Sequence, residues 1–323
     1  MLRNLPLRAP AACAALVACA AAGAQDYPSK AVRVIVPFAT GGGSDITARN
    51  MSQKLTGELN QQFIVENRPG AGGIVGLETL IKSPPDGYTI MISTSSWSTA
   101  AALYKPAFDP TNDITPVVEI GFNPLVLSLH PSVPAKTPKE LIALAKARPN
   151  QIDFASSGNG STQHLTGALF IKMAGIQMTH VPYRGSGPAT ADLLAGQVTV
   201  GFPGIAGMLQ FIKTGKLRAL GVSGGRRSAE LADVPTIAEA GVPGYEMVSW
   251  FGMAGPKGIS RDVQTRLHGD LLRVLKNTDF QKSMQAAGQE VAFQDAPEKF
   301  YDFMKVEAVK WARVVADSGA RVE

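Results

Sequence analysis

The chain has 323 residues, 45% of them hydrophobic and 18% charged, with a formal net charge of +5. This is the composition of a well-buried globular protein too long for a single core, so two lobes are expected. No Lys/Arg cluster exceeds Arg226-Arg227, so nucleic-acid binding has little support, and the absence of any GxGxxG or P-loop string argues against nucleotide cofactors.

The first 24 residues read as a secretory signal peptide: Arg3 and Arg8, an apolar run from Ala11 to Ala22, then Ala22-Gly23-Ala24 before Gln25. The run is shorter than the roughly 18 apolar residues a membrane helix needs. Cleavage after Ala24 predicts a periplasmic mature chain and removes both cysteines, Cys13 and Cys19, and with them any disulfide or thiol chemistry. Leu16-Val17-Ala18-Cys19 also reads as a lipoprotein processing box, which would anchor the chain through an acylated Cys19. Losing Arg3 and Arg8 takes the charge from +5 to +3, a mild excess that favours anionic small ligands.

Beyond Gln25, short β-branched runs alternate with segments of helical period, and Gly or Pro marks the joins. Strands are predicted at Ala31–Val36, Phe63–Val65 and Tyr88–Ile92, with helices at Asp45–Leu59 and Gly73–Ile81 between them, a βαβαβ order that implies a parallel sheet. The theme returns with helices at Thr137–Ala147, Ser161–Ala174 and Pro188–Leu194, and strands at Ile152–Ala155, Thr179–Pro182 and Val198–Gly201. Val117–Leu129 and Tyr245–Phe251 read as crossings between two α/β lobes. The last helices, Asp262–Leu275 and Pro297–Ala316, are expected to pack back on the first lobe. The predicted division is therefore residues 25–125 for lobe 1, 126–248 for lobe 2 and 249–323 for lobe 1 again, with a cleft and a two-segment hinge between them.

Ligands of open parallel sheets sit beyond the carboxyl ends of the strands, where loops lead into helix N-termini. One such turn runs from Pro37 to Asp45. Its Gly41-Gly42-Gly43 lets backbone N–H groups approach a ligand, and the helix dipole attracts a carboxylate there. A second turn, Ser156 to His164, repeats the design in lobe 2. The two together could clasp one small anion, although either can also be read as a plain tight turn. Asp45 either caps its helix or meets the ligand, and His164 either donates to a carboxylate or serves the fold. Tyr183-Arg184-Gly185-Ser186-Gly187 is a third candidate loop, with Arg184 a bidentate carboxylate partner if it points inward. The candidate binding set is thus Phe38, Thr40, Gly41, Gly42, Ser44, Asp45, Ser95, Ser157, Gly158, Gly160, Ser161, His164, Tyr183 and Gly185.

No catalytic set emerges. Gly221-Val222-Ser223-Gly224-Gly225 matches the nucleophile-elbow string of serine esterases, but no helix follows at once, and the only later histidine, His268, lies inside an amphipathic helix. His130, His164, His180 and His268 have no metal-ligand spacing, so neither a metal nor a cofactor is expected.

Many short strings, in order, resemble the substrate-binding receptors of tripartite tricarboxylate transporters, the Bug family. They include Val36-Pro37-Phe38 with Gly41-Gly42 and Asp45, Glu66-Asn67-Arg68-Pro69-Gly70-Ala71-Gly72-Gly73, Pro85-Asp86-Gly87-Tyr88-Thr89, Val181-Pro182-Tyr183-Arg184-Gly185, and Val234-Pro235-Thr236. The resemblance implies a type II periplasmic-binding-protein fold that closes like a flytrap on a small carboxylate, an amino acid or an aromatic acid. It further implies a monomer that catalyses nothing, a carboxylate gripped by backbone amides and ordered water, and membrane permease subunits as partners. A receptor of this fold feeding a sensor kinase is the alternative. Thr40 stands where the family commonly has Pro, and no acidic residue occurs near Gly201-Phe202-Pro203 where the family commonly has one.

Overall fold

The computed structural model describes residues 27–318; the signal peptide and its Cys19 alternative lie outside the described residues. The chain begins with β1 (Val32–Val36), α1 (Gly43–Leu59), β2 (Phe63–Asn67), α2 (Ile74–Ile81), β3 (Thr89–Thr94), α3 (Ser96–Tyr104) and β4 (Ile114–Pro124). It continues through β5 (Val126–Leu129), α4 (Pro138–Ala147), β6 (Asp153–Ser156), α5 (Thr162–Ala174), β7 (Thr179–Pro182), α6 (Ser186–Ala195), β8 (Val200–Gly201), α7 (Ile205–Lys213) and β9 (Arg218–Val222). The last elements are β10 (Val248–Pro256), α8 (Arg261–Lys276), α9 (Thr278–Ala286), β11 (Glu290–Val291) and α10 (Pro297–Ser318).

Two sheets result. The first runs β11-β4-β10-β3-β1-β2, with β1 parallel to β2 and β3, and β10 antiparallel to β3 and β4. The second runs β7-β6-β8-β5-β9, with β6 parallel to β7 and β8, and β5 antiparallel to β8 and β9. Each sheet with its helices forms a lobe with its own apolar core. Val34, Met51, Ile90 and Leu271 belong to the first, and Leu129, Leu141, Phe170 and Val200 to the second. β3, inside the first sheet, is buried at every residue from Thr89 to Thr94, as expected of a strand with both faces covered.

Two segments carry the chain between lobes. At the first, β4 and β5 are nearly one strand, separated only by Leu125; the second enters β10 just after Met247. Ser223 joins the two crossings. Its N–H donates to the Leu125 carbonyl (2.8 Å), its Oγ accepts from Leu125 N–H (3.0 Å), and its carbonyl accepts from Met247 N–H (2.7 Å). The same Oγ donates to the Met247 carbonyl. Ser223 is fully buried and all its polar atoms are engaged, so the residue that matched an esterase string is a hinge staple.

The C-terminal helices divide differently from the sequence expectation. α8 packs on β4 and α1 in lobe 1, whereas α10 spans both lobes. Phe300 and Met304 on its first half fill the lobe 1 core, and Trp311, Val314 and Val315 on its second half fill the lobe 2 core. An amphipathic period reveals that one face is buried but not against what. Among the described residues no helix is long and apolar enough to cross a membrane.

Candidate functional site

The strand-to-helix turn after β1 is held by a carboxylate that faces away from the cleft. Asp45 Oδ2 accepts from Gly41 N–H (3.1 Å) and from Arg49 Nε (3.0 Å), while its Oδ1 accepts from Asn67 Nδ2 (3.0 Å). Asn67 Nδ2 also donates to the Phe38 carbonyl (2.9 Å), so the loop is pinned at both ends. Burial by itself raises the Asp45 pKa, but the hydrogen bonds from Arg49, Asn67 and Gly41 outweigh it and hold the carboxyl below the usual range. Gly41 has φ +86°, a left-handed turn that glycine adopts without strain, and Gly42 is the N-cap of α1 with no side-chain cap. The first N–H groups of α1 are left for whatever faces them.

They face a cavity of about 50 Å³ between the lobes. Four other helices begin on its wall. The lining includes Ser96 at the start of α3, Thr162 and Gln163 of α5, Ser186 and Thr190 of α6, and Gly204 at the N-cap of α7, together with Gly43 and Ser44 of α1. Thr94 ends β3, and Asn123 and Ser249 come from the two crossings. No charged side chain is among the lining residues. Residues at the starts of five helices therefore line an uncharged, hydroxyl-bearing space, and helix N-termini favour an anion without a buried counter-ion.

The lobes meet closely around this space. Thr162 Oγ1 lies 2.9 Å from Ser95 Oγ and 3.0 Å from Ser96 Oγ, and Thr162 N–H donates to Ser96 Oγ (3.2 Å). Thr99 Oγ1 donates to the Gly160 carbonyl, and Tyr104 OH to the Asn159 carbonyl (3.2 Å). Glycines permit the approach. A Cβ on Gly187 would lie 2.3 Å from the Thr40 carbonyl oxygen, and one on Gly72 would lie 2.5 Å from that of Asn159. The two lobes are thus in direct contact around the cavity.

Of the residues selected from sequence, Phe38, Gly41, Gly42, Ser44 and Ser157 line the cavity. The others lie around it in other roles. Thr40 is exposed, and Gly185 packs against Ala39 in the seam between lobes. Gly160 packs against Ala100 and Tyr104, while Gly158, at φ +126°, shapes the turn. Ser95 stands one layer back, bonded to Thr162 and Ser249. Ser161 caps α5 by accepting from His164 N–H (3.2 Å), and Tyr183 OH donates to Asp192 (2.7 Å). Arg184 is exposed.

His164 turns away from the cavity. Its Nδ1 accepts from Gly160 N–H (3.2 Å), and its ring stacks on His180 with centroids 4.0 Å apart; His180 in turn stacks on Phe154. The three line a separate groove of about 460 Å³. Burial pushes the His164 pKa down to about 4, and burial with the neighbouring His164 pushes His180 to about 3. The spacing of 16 residues concealed this pair; the parallel pairing of β6 with β7, which sets Phe154 beside His180, creates it. Among the described residues no three His, Cys, Asp or Glu side chains are placed to hold a metal ion.

Thr94, Ser96, Asn123, Gln163, Ser186, Thr190, Gly204, Met208, Ser249 and Phe251 line the cavity without having been selected from sequence. The rule that ligands collect at strand carboxyl ends pointed towards Thr94 and Ser96. No local signal marked Asn123 or Ser249, which face the cavity only because two crossing strands pair there.

A family model described as tripartite tricarboxylate transporter family receptor matches residues 47–320. Protein BugT of Bordetella pertussis (strain Tohama I) is 35% identical over 303 residues, covering 93% of each chain. Among solved structures, R. palustris Rpa4515 with adipate superposes with TM-score 0.88 at 33% identity, covering 92% of this chain and all of that one. MatC (Rpa3494) from Rhodopseudomonas palustris with bound malate gives TM-score 0.85 at 29% identity over 90% of this chain and all of that one.

Proposed function

The chain belongs to the tripartite tricarboxylate transporter receptor family, and from that premise we propose that it is an exported receptor that captures a small organic carboxylate between its lobes and delivers it to the membrane permease of such a transporter. The observation that carries this reading is the convergence of five helix N-termini on an uncharged cavity at the lobe boundary. The adipate and malate bound to the two related structures support the ligand class. In this reading residues 25–125 and 249–304 act against 126–248 as two jaws, with the second half of α10 packed on the latter, the mature protein is a periplasmic monomer released after Ala24, and binding involves no catalysis.

The carboxylate rests on the N–H groups of α1 after Gly42, with Ser44 and Phe38 beside it, and closure brings Ser157, Thr162 and Ser186 from the other side. Arg184 takes no part, being exposed. Asp45 acts through the loop it pins rather than on the ligand.

A thermal-shift series with mono-, di- and tricarboxylates tests the reading. Ligand at about 100 times its dissociation constant adds roughly 2.7 kcal/mol to the folded state, enough to raise the melting temperature measurably. A flat response to every carboxylate would sink the receptor assignment.

A further inference from the structure

Asn123 lies one residue before the end of β4, on the strand that leads from lobe 1 to lobe 2, and its register partner is Ser249 of β10. The residue is 6% exposed and lines the cavity. Its carboxamide oxygen is fully buried, so Nδ2 is the end open to the cavity, and that nitrogen has no partner among the described residues.

Glycines clear the space around it. A Cβ on Gly204 would fall 2.2 Å from Asn123 Nδ2, and one on Gly43 would fall 3.0 Å from it. Gly204 is the N-cap of α7, with φ −65° and ψ 141°, as Gly42 is the N-cap of α1, with φ −88° and ψ 169°. Any residue adopts these angles, and Ser, Thr, Asp or Asn would cap such a helix better. The backbone therefore does not demand glycine at either cap. What the two glycines do is leave both helix starts without a side-chain cap, α1 from lobe 1 and α7 from lobe 2, with the carboxamide nitrogen between them.

These groups are donors whose neighbouring acceptors are engaged. The Gly43 carbonyl accepts from Thr47 Oγ1 (2.8 Å) and Gln289 Nε2 (3.2 Å), Ser249 Oγ pairs with Ser95 Oγ (3.0 Å), and no Asp or Glu lines the cavity. The hydroxyls of Ser44, Ser157 and Thr190 also line it unpaired, but a hydroxyl either donates or accepts and suits either kind of ligand group. An amide nitrogen only donates. An ionised carboxylate only accepts, and it can satisfy the nitrogen and the helix N–H groups together.

Resting on the receptor reading above, we infer that Asn123 is a ligand-binding residue whose Nδ2 donates to an oxygen of the ligand's carboxylate, seated between the starts of α1 and α7. The seat then draws donors from each lobe and from the strand that joins them.

Isothermal titration of the mature protein, with the carboxylate that gives the largest thermal shift, tests this. Asn123→Ala removes the donor and should weaken binding about tenfold; Asn123→Asp keeps the shape but replaces the donor with a second negative charge, and should weaken it by about a hundredfold or more at neutral pH. A second measurement needs no substitution. In the parent chain, the side-chain amide resonances of Asn123, assigned through its own Cβ, should move on saturation with ligand, one proton shifting downfield. An Asn123→Asp chain that binds within about twofold of the parent overturns this inference and leaves the receptor reading intact. So does an Asn123 amide signal that saturating ligand leaves in place. Failure of every carboxylate to bind the parent chain overturns both.

Discussion

The turn after β1 and the turn after β6 look alike in sequence, each a strand, a glycine-rich loop and a helix start, yet they are built to opposite plans. In the first, Gly42 leaves α1 without a side-chain cap, and the nearby carboxylate of Asp45 reaches backwards to pin the loop. In the second, Ser161 caps α5 and His164 folds under the helix onto His180. Lobe 1 thus offers bare backbone N–H groups to the cavity. Lobe 2 caps the start of α5 and offers the side chains of Thr162 and Gln163 there, while α6 and α7 begin without side-chain caps. One local pattern can produce either an anion seat or a wall for it, and the residue at the N-cap, Gly42 in one turn and Ser161 in the other, decides which.

The largest expected effect is on the approach of lobe 2 to the first turn. Gly187→Ala would drive a methyl against the Thr40 carbonyl in the closed form only. Overpacking of this size typically costs 1–3 kcal/mol, so titration should show carboxylate affinity reduced about ten- to hundredfold, with the ligand-free melt near that of the parent chain. Unaltered affinity would show that binding does not need this contact.

Asp45→Ala should come next, because it strips acceptors from Gly41 N–H and Asn67, while the exposed Arg49 contributes less through solvent screening. A stability loss of about 2 kcal/mol in denaturant unfolding, accompanied by weaker ligand binding, is the expected outcome. Ser161→Ala, the equivalent blow to the second turn, should cost about 1 kcal/mol and leave binding nearly unchanged. If Ser161→Ala weakened binding as much as Asp45→Ala, the two turns would not differ as described.

The turns should also part in their response to acid. His164 and His180 have folded pKa values of about 4 and about 3, below the ordinary 6.5. As pH falls below 6.5 the unfolded chain takes up protons that the folded pair refuses, so stability drops through a window from about 6.5 to about 4 for His164 and to about 3 for His180. Asp45, whose pKa is lowered, contributes fully above the ordinary carboxylate value of 3.8 and loses its contribution only below that. Melting temperatures should therefore decline between pH 6.5 and 4, and His180→Gln should flatten the decline; an unchanged slope would remove the histidine pair from the account.

These contrasts bear on what was legible in the chain. The βαβ units could be read because β-branched runs and helical periods are local properties, and the Gly41-Gly42-Gly43 loop was visible as a glycine-rich strand-to-helix turn, which lines the cavity. α3 escaped notice because Ser96–Tyr104 is mostly small and hydroxylated residues with little apolar stripe, and α7 because Ile205–Lys213 follows a two-residue strand too short to announce a crossover. Asn123 reads in sequence as one polar residue in an apolar strand, and only the crossing at Leu125 turns it into the cavity. Trp311 reads as part of one buried stripe, whereas it fills the core of the other lobe from Phe300.

The central claim is that lobe 1 seats the ligand's charge without a basic side chain. A crystal structure of the mature protein with its tightest-binding carboxylate tests it most directly. The account predicts carboxylate oxygens within hydrogen-bond reach of the N–H groups at the start of α1, facing the starts of α5 and α6, with no Lys or Arg side chain in contact. A carboxylate paired instead with a basic side chain such as Arg184, or lodged outside the space between the lobes, would contradict it.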